Sequence, residues 1–248
     1  MELFPFKPLY DNNINKEVRY LTANHYCLIQ NLKTNGFIVG DTDDKNPNFE
    51  SAYGVTTNPL MNFACPRNLI KFEKFNNNNS NNISHYNSKK SDNSNDSGDI
   101  LKFGDKIVII CHDLLHNETL YLFSQLISPQ SYSRFSRNQE VLLNSKRSYS
   151  CCWTIEHVDP TLRFSKEGQP ILLDEPFIIR HCATGRLLAS DLIDYNNDYG
   201  REYEVCCFNF LSNNKYQTLD SEKDGKLKIN TLTKYELDQN IWRIVDKL

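Results

Sequence analysis

Internal repetition constrains the fold of this chain more than any other feature. Three segments share one pattern, in which an apolar strand, a polar turn carrying Asn or Gly and a second apolar strand follow one another: Tyr26–Asp41, Ile107–Ser124 and Pro176–Asp191. That order is typical of a β-hairpin. The sequence therefore predicts three hairpins, spread over most of the 248 residues.

Two further strands are predicted after each hairpin. The first of them lies at Tyr53–Thr57, Glu140–Leu143 and Tyr203–Cys207. The second alternates apolar and polar residues and closes each copy, at Leu69–Glu73, Cys152–Glu156 and Ile241–Val245. Ile70, Trp153 and Trp242 hold the equivalent place in these closing strands, as do Phe72, Ile155 and Ile244.

Four strands are too few to bury a core alone, but three such units can close together into a capped barrel. We therefore predict an all-β fold, a single β-trefoil over 16–248, with repeats at about 16–75, 100–160 and 161–248. Helix should be scarce, because no segment keeps a 3.6-residue period for long. Trp153 and Trp242 should fill the core near the pseudo-threefold axis.

A low-complexity insertion separates the first two repeats. Between residues 76 and 99, fifteen of twenty-four residues are Asn or Ser, and only Ile83 and Tyr86 are large apolar residues that a core could bury. Such a composition cannot recover the entropy of ordering, so we expect this insertion to be disordered.

The N-terminal arm, residues 1–15, carries aromatic residues beside prolines. Pro5 and Pro8 hold such a segment extended and remove backbone donors, so we do not expect it to join a sheet of the core. Phe4 and Phe6 are then candidate anchors for a partner. The other interpretation is a frayed terminus of no consequence.

Charge and hydropathy restrict the classes of partner. A net charge of −3 argues against binding of nucleic acid, which normally requires a basic field. The longest apolar run, Ile107–Cys111, is far shorter than the ~20 residues that span a bilayer. Met1–Pro5 lacks the features of a secretion signal. We expect a soluble chain of the cytoplasm that binds no membrane.

The eight cysteines include two adjacent pairs and no C-x-x-C spacing. Most of them lie in Val-, Ile- and Phe-rich runs, where a free cysteine behaves as a small apolar residue. We therefore expect reduced, structural cysteines and no zinc site.

No catalytic or cofactor motif is present, so we predict a protein that is not an enzyme and binds no cofactor or metal. His112 and His181 hold the same place in their repeats as Asn31, which indicates hydrogen bonding within turns. Cys182 follows His181, but adjacent residues of a strand point apart. The acidic run Asp41–Asp44 could bind calcium weakly; a solvated turn is the commoner structure.

Sugar binding is the function to weigh for a trefoil. Ricin-like trefoils carry Q-x-W near the end of each repeat, and this motif is absent here. The two tryptophans are better explained as core residues.

Several segments in succession resemble the cilia- and flagella-associated protein 161 family. They are Leu101–Ile110, Leu120–Ser124, Leu142–Tyr149, Cys152–Trp153, Asp159–Phe164, Glu167–Gly168, Phe177–Cys182, Tyr203–Val205 and Ile241–Val245. A fainter likeness covers Phe37–Asp41 and Arg67–Ile70, and the insertion at 76–99 departs from the family.

The resemblance implies a MIR-like trefoil that is a structural protein of motile cilia and flagella. It would bind tubulin and other microtubule inner proteins inside the A-tubule of the axonemal doublet, and so localise to the cytoskeleton of the axoneme. No catalytic residue follows from the resemblance. The alternative is a MIR module that binds a carbohydrate or a lipid, which we expect to need a signal peptide or a membrane anchor.

Overall fold

The repeated apolar runs are rich in β-branched and aromatic residues, which suit a pleated, half-buried surface. In the computed structural model they form strands. The structure describes residues 4–5, 19–61, 63–75, 100–113, 118–212, 219–220, 222–225 and 234–247. The insertion at 76–99 lies outside the described residues.

All twelve strands predicted from the sequence are present, and two short ones, β1 and β5, add to them. The strands are β1 (Phe4–Pro5), β2 (Tyr26–Asn31), β3 (Phe37–Lys45), β4 (Ala52–Asn58), β5 (Phe63–Ala64), β6 (Ile70–Lys74), β7 (Lys106–Asp113), β8 (Glu118–Ser124), β9 (Gln139–Asn144), β10 (Trp153–His157), β11 (Phe177–His181), β12 (Leu188–Asn197), β13 (Gly200–Cys207) and β14 (Ile241–Lys247). Helix is scarce in the described residues, as predicted; α1 covers only Arg163–Lys166.

Six of these strands close into an antiparallel barrel. Around the ring, β2 pairs with β6, β6 with β7, β7 with β10, β10 with β11, β11 with β14, and β14 with β2. Every strand of the ring thus has a neighbour on both sides, so full closure removes the exposed edges that an open sheet would carry.

Three hairpins cover one end of this barrel: β3–β4, β8–β9 and β12–β13. Their second strands also pair with one another, β4 with β9, β9 with β13, and β13 with β4. This triangle brings together residues that are distant in sequence, and we call it the hairpin junction.

The register of the barrel repeats around the ring. Trp153 pairs with Ile107 and His181, and Trp242 pairs with Phe177 and Asn31. Ile70 makes the corresponding pairs with Cys27 and Cys111. The structure therefore has Ile70, Trp153 and Trp242 at corresponding places in the ladders.

One detail of the sequence interpretation is wrong. The residue opposite Ile70 that corresponds to His181 and Asn31 is Cys111, whereas His112 lies one position further along β7. Because side chains alternate along a strand, a register error of one residue exchanges the two faces, so Cys111 and not His112 corresponds to His181 and Asn31. Residues Ile107–Ile110 are all apolar, so the sequence does not indicate which of them face the core, and the shift could not be predicted.

The core fills the barrel with side chains from every strand of the ring. Phe72, Ile155 and Ile244 are buried beside the two tryptophans in one continuous apolar cluster. The all-β architecture predicted from the repeated strand pattern is therefore present.

Candidate functional site

The two tryptophans are interior residues. Trp153 and Trp242 are both 0% exposed. The indole Nε1 of Trp153 donates to the carbonyl of Leu122 at 2.9 Å, and that of Trp242 donates to the carbonyl of Leu188 at 3.1 Å. A buried indole with its N–H satisfied stabilises the core, and neither ring is available to a ligand.

The side chains of His181 and Asn31 form hydrogen bonds with the turns that follow their strands. The buried His181 ring bonds through Nε2 to the carbonyl of Ser150 at 2.9 Å and through Nδ1 to the hydroxyl of Thr184 at 2.9 Å. Since a carbonyl only accepts, Nε2 carries the proton and Nδ1 accepts from Thr184. Asn31 plays a similar part, accepting the backbone N–H of Thr34 and donating to the carbonyl of Gln239 at 2.9 Å.

This arrangement excludes a nucleophile–base pair at 181–182. Both nitrogens of His181 are engaged with the turn, and burial lowers the pKa of the ring. The Sγ of Cys182 instead lies 3.2 Å from the Sγ of Cys152 and 3.1 Å from the hydroxyl of Thr154. The sequence interpretation, that the two adjacent side chains diverge, agrees with these contacts.

The acidic run Asp41–Asp44 is hydrogen-bonded to the β12–β13 hairpin. Asp41 accepts the backbone N–H groups of Asp43 and Asp44 at 3.1 and 3.3 Å, which fixes the shape of the run. Asp44 accepts the hydroxyl of Tyr195, and Asp43 accepts that of Tyr199 at 3.1 Å. The prediction of a solvated turn is wrong: Asp41–Asp44 lie within β3, and their carboxylates contact β12 and the turn that follows it.

A buried ion pair lies behind that run. Glu202 is fully buried on β13, and its carboxylate lies 3.2 Å from Nη1 of Arg67. Thr56, Asn58 and Asn197 also donate to it. Arg67 donates through Nε to the carbonyl of Gly40 at 2.8 Å and stacks on the ring of Tyr199, 3.4 Å from its centroid.

A small cavity of about 210 Å³ opens at the hairpin junction. Its walls include the carboxylates of Asp44, Glu140 and Glu204. Glu204 accepts two backbone N–H groups, at 2.8 and 3.0 Å, and burial raises the pKa of Glu140. The hydroxyl of Ser133 is buried in the cavity wall without a hydrogen-bond partner.

The most exposed aromatic side chain of those described lies on α1. Phe164 is 90% exposed, and its neighbour Leu162 is 42% exposed. Between them, Arg163 points back to the barrel: Nη2 lies 2.7 Å from Glu236, and Nε donates to the carbonyl of His157 at 2.9 Å. We call Leu162 and Phe164 the α1 apolar pair. The pair is held on a turn that Arg163 fixes to two other parts of the fold.

Two residues of the N-terminal arm, Phe4 and Pro5, belong to the described part of the chain. The backbone of Phe4 and Pro5 forms β1, which pairs with β5 outside the closed sheet, with Phe4 opposite Ala64. The prolines predict that the arm does not join a sheet of the core; its two described residues lie outside the closed sheet, but their ladder with β5 was not predicted. Phe6 lies outside the described residues.

In the described part of the chain, no three His, Cys, Asp or Glu side chains are grouped so that they could hold a metal ion. The same residues contain no helix that combines the length and apolar character needed to cross a bilayer.

Comparison with known families decides the relationship. The model of the cilia- and flagella-associated protein 161-like domain matches residues 61–221, which is more than half of the chain. The chain belongs to this family. Membership in the cilia- and flagella-associated protein 161 family associates the chain with cilia and flagella, and the matched segment contains α1, Trp153 and two of the three strands of the hairpin junction, β9 and β13.

Members of the family in vertebrates show the same relationship at moderate identity. The chain is 34% identical to cilia- and flagella-associated protein 161 of Danio rerio over 98 residues, which is 39% of this chain and 32% of the relative. For the Mus musculus protein the figures are 30% over 123 residues, 49% of this chain and 41% of the relative. The aligned parts thus span less than half of these relatives.

Solved structures share the fold at low identity. The SDF2-like protein from Arabidopsis thaliana superposes with a TM-score of 0.57 and 16% identity, covering 93% of this chain and 97% of that one. A chain of the S. cerevisiae protein O-mannosyltransferase Pmt1-Pmt2 complex gives 0.59 and 16%, covering 96% of this chain and 27% of that one. At this identity the likeness concerns the fold alone.

Proposed function

We propose that the chain is a non-enzymatic structural protein of motile cilia and flagella. In this proposal it binds the luminal face of the A-tubule of axonemal doublet microtubules, with tubulin and neighbouring microtubule inner proteins as partners. Family membership supports localisation to cilia and flagella. The observation that carries the binding role is the α1 apolar pair, an exposed aromatic and aliphatic pair held on a fixed turn.

We also propose that the closed sheet is a MIR-like β-trefoil of three repeats, at about 16–75, 100–160 and 161–248. The register supports this assignment, because Ile70, Trp153 and Trp242 make corresponding pairs around a six-stranded ring. The triangle of β4, β9 and β13 also supports it. A closed barrel of this kind presents its loops on a rigid base, which suits a scaffold for protein contacts.

The α1 apolar pair fits a docking role for a physical reason. Phe164 is 90% exposed and lies beside the exposed Leu162, so the pair offers apolar surface that a partner can bury with a gain in free energy. Because Arg163 is fixed by Glu236 and by the carbonyl of His157, the pair is pre-organised and loses little entropy on binding. Aromatic anchors of this kind carry a disproportionate share of the energy of an interface.

The partner's charge agrees with this mode of binding. Tubulin is acidic, and the chain carries a net charge of −3 rather than a strong basic field. Affinity should then come from shape, apolar anchors, polar contacts and high local concentration within the lumen, not from long-range attraction. Retention should accordingly depend on Phe164 more than on ionic strength.

Localisation and extraction test the proposal together. Wild-type chain and a Phe164→Ala variant are expressed with a tag in flagellated cells, and axonemes are extracted with detergent and then salt. We expect the wild type to stay with the doublets and the variant to be released at lower salt. Leu60→Ala is the matched control, because Leu60 is 79% exposed and distant in sequence from α1. A diffuse or secretory signal for the wild type would overturn the axonemal assignment.

A ligand-binding trefoil module is the second candidate, and the cavity at the hairpin junction is the observation in its favour. Its volume of about 210 Å³ is below the range of roughly 300–1,000 Å³ that drug-sized ligands need. The tryptophans are buried, so neither of them provides a stacking platform for a sugar. Calorimetric titration with mannose and glucose tests this candidate, and we expect no heat of binding.

A further inference from the structure

Two thiols meet at the end of the β10–β11 ladder. Trp153 and His181 form the last pair of that ladder, and Cys152 and Cys182 are the next residues outward on the two segments. The backbone N–H of Cys182 donates to the carbonyl of Cys152 at 2.9 Å. Their Sγ atoms lie 3.2 Å apart, with the Cys152 thiol donating to the sulfur of Cys182.

This placement suits a covalent link between the two sulfurs. Directly opposed residues of an antiparallel pair have Cα atoms about 4.5–5.5 Å apart, within the range of about 4.4–6.8 Å found for disulfides. The sulfurs need to approach by only about 1.2 Å to reach the bond length of about 2.05 Å. The turn that follows, with Gly185 in the left-handed region at φ 70°, begins at Cys182 and gives that side freedom to adjust.

The two cysteines differ in ways that assign separate roles. Cys182 is partly exposed, whereas each of the other seven cysteines is buried. The hydrogen bond from Cys152 lowers the pKa of Cys182 to about 6, and the hydroxyl of Thr154 adds to this effect. The same hydrogen bond, with burial, raises the pKa of Cys152. The hydrogen bond and the partial exposure therefore favour Cys182 as the thiolate of the pair, with Cys152 as its protonated neighbour.

Four of the other cysteines, all of them buried, are poor competitors for an oxidant. Burial raises the pKa of Cys111 and that of Cys206 to about 12. It also raises the pKa of Cys151 and of Cys207. Since the thiolate is the reactive form, reaction with an oxidant should be selective for Cys182.

We propose that Cys152 and Cys182 are a redox-active thiol pair that hydrogen peroxide converts into a cross-strand disulfide. The thiolate of Cys182 attacks one peroxide oxygen; the S–O bond forms, the O–O bond breaks, and the departing hydroxide takes a proton to become water. The Cys152 sulfur then attacks the sulfenic acid; the S–S bond forms, the S–O bond breaks, and the hydroxyl leaves as water with the Cys152 proton. Two electrons pass from the thiols to the peroxide.

The disulfide would join two elements around the core. It closes the chain between residues 152 and 182 and covalently fixes the strand that carries Trp153 to the turn that His181 supports. Closing such a loop constrains the unfolded chain, so the oxidised form should unfold at a higher temperature than the reduced form. Cytosolic disulfides are usually transient and responsive to redox conditions, and this pair fits that class.

Peptide mapping of the intact chain tests the proposal directly. Reduced protein is treated with hydrogen peroxide, the remaining thiols are blocked, and a tryptic digest is analysed without reduction. The expected product joins residues 148–163 to residues 181–186, is two hydrogens lighter than the sum of the two peptides, and disappears with dithiothreitol. Before oxidation, Cys182 should react with iodoacetamide at pH 7 on the order of tenfold faster than the other thiols.

Variants separate the correct pair from its neighbours. Cys151 lies in the same tryptic peptide as Cys152, so Cys151→Ser is the control that should retain the cross-link. Cys152→Ser should stop the reaction at the sulfenic acid of Cys182, which dimedone traps, and Cys182→Ser should abolish both products. A cross-link through Cys151, preferential oxidation of another cysteine, or over-oxidation of Cys182 with Cys152 still free in the wild type would overturn the proposal. The peptide map of the oxidised wild type tests the proposal even if one of the variants fails to fold.

Discussion

Trp153 and Trp242 make the same two kinds of contact at corresponding places of the barrel. Each indole donates to a backbone carbonyl of a hairpin strand, that of Leu122 at 2.9 Å for Trp153 and that of Leu188 at 3.1 Å for Trp242. Each residue also pairs across the ladder with the polar residue that supports a turn, His181 or Asn31. The two tryptophans thus connect the barrel to its covering hairpins.

Removing one of these rings should have a large effect on stability. Trp242→Ala empties a fully buried site and leaves the Leu188 carbonyl with fewer donors, so we expect a loss of roughly 3–5 kcal/mol in the free energy of unfolding. Denaturant titration measures it. The control is Phe164→Ala, where the ring is 90% exposed and the change should stay below about 0.5 kcal/mol. A cost below ~1 kcal/mol for Trp242→Ala would contradict its interior placement.

Acid should weaken the fold through His181. Burial lowers the pKa of His181 in the folded state, so below about pH 6.5 the unfolded chain binds a proton that the folded chain does not. The free energy of unfolding therefore falls as the pH falls below that value, by up to about 1.4 kcal/mol per pH unit for one group. Urea titrations between pH 7.5 and 5 measure the slope.

A substitution at the same residue supplies the control for this pH dependence. Asn31 holds the corresponding place in the first repeat and satisfies its turn with an amide. His181→Asn should therefore fold and show a flatter pH dependence than the wild type over the same range. An identical slope in the two proteins would assign the acid sensitivity to other groups.

The buried ion pair at the hairpin junction should matter more than an exposed one. Arg67→Met leaves the buried carboxylate of Glu202 without the guanidinium 3.2 Å away, and we expect a loss on the order of 3 kcal/mol in the free energy of unfolding. Lys146→Met is the matched control, because the Lys146–Glu50 pair is exposed on both sides and should contribute nothing measurable. Equal effects in denaturant titrations would show that the junction does not depend on Arg67.

Repeated apolar runs separated by polar turns, together with the alternating closing strands, were sufficient to predict the twelve main strands. Each strand is local, and its side chains follow a period of two that the sequence displays directly. The exact register is not local: Cys111 and His112 differ by one position, and only the partner strand shows which of them faces Ile70. The helix α1 was missed because four residues are too few to show a helical period.

The contacts that define the candidate sites were beyond the reach of such patterns. Arg67 and Glu202 are 135 residues apart in sequence, and Asp44 and Tyr195 are 151 apart. Cys182 was considered with His181, its neighbour in sequence, whereas its contact is Cys152 across the ladder. Pairs of this kind depend on how the strands close, and a single sequence carries no signal for them.

The insertion at 76–99 should contribute little to stability. Its Asn- and Ser-rich composition offers few side chains to bury, while the residues on either side are held: the N–H of Phe75 donates to the carbonyl of Lys106 at 2.8 Å, and Ile100 forms a bridge with Thr22. Replacing 76–99 by a short Gly-Ser linker should leave the melting temperature nearly unchanged. Calorimetry measures it, and a large decrease would mean that the insertion belongs to the fold.

The N-terminal arm allows a test that separates three roles for Phe4 and Phe6. If these side chains anchor a partner, Phe4→Ala with Phe6→Ala should leave the melting temperature unchanged and release the chain from axonemes at lower salt, because aromatic anchors dominate interface energy. If the arm packs on its own barrel, beside the ladder that joins Phe4 to Ala64, the melting temperature should fall. If the arm is a frayed terminus, neither quantity should change. We expect the first result; normal folding combined with wild-type resistance to salt extraction would show that the anchoring proposal is wrong.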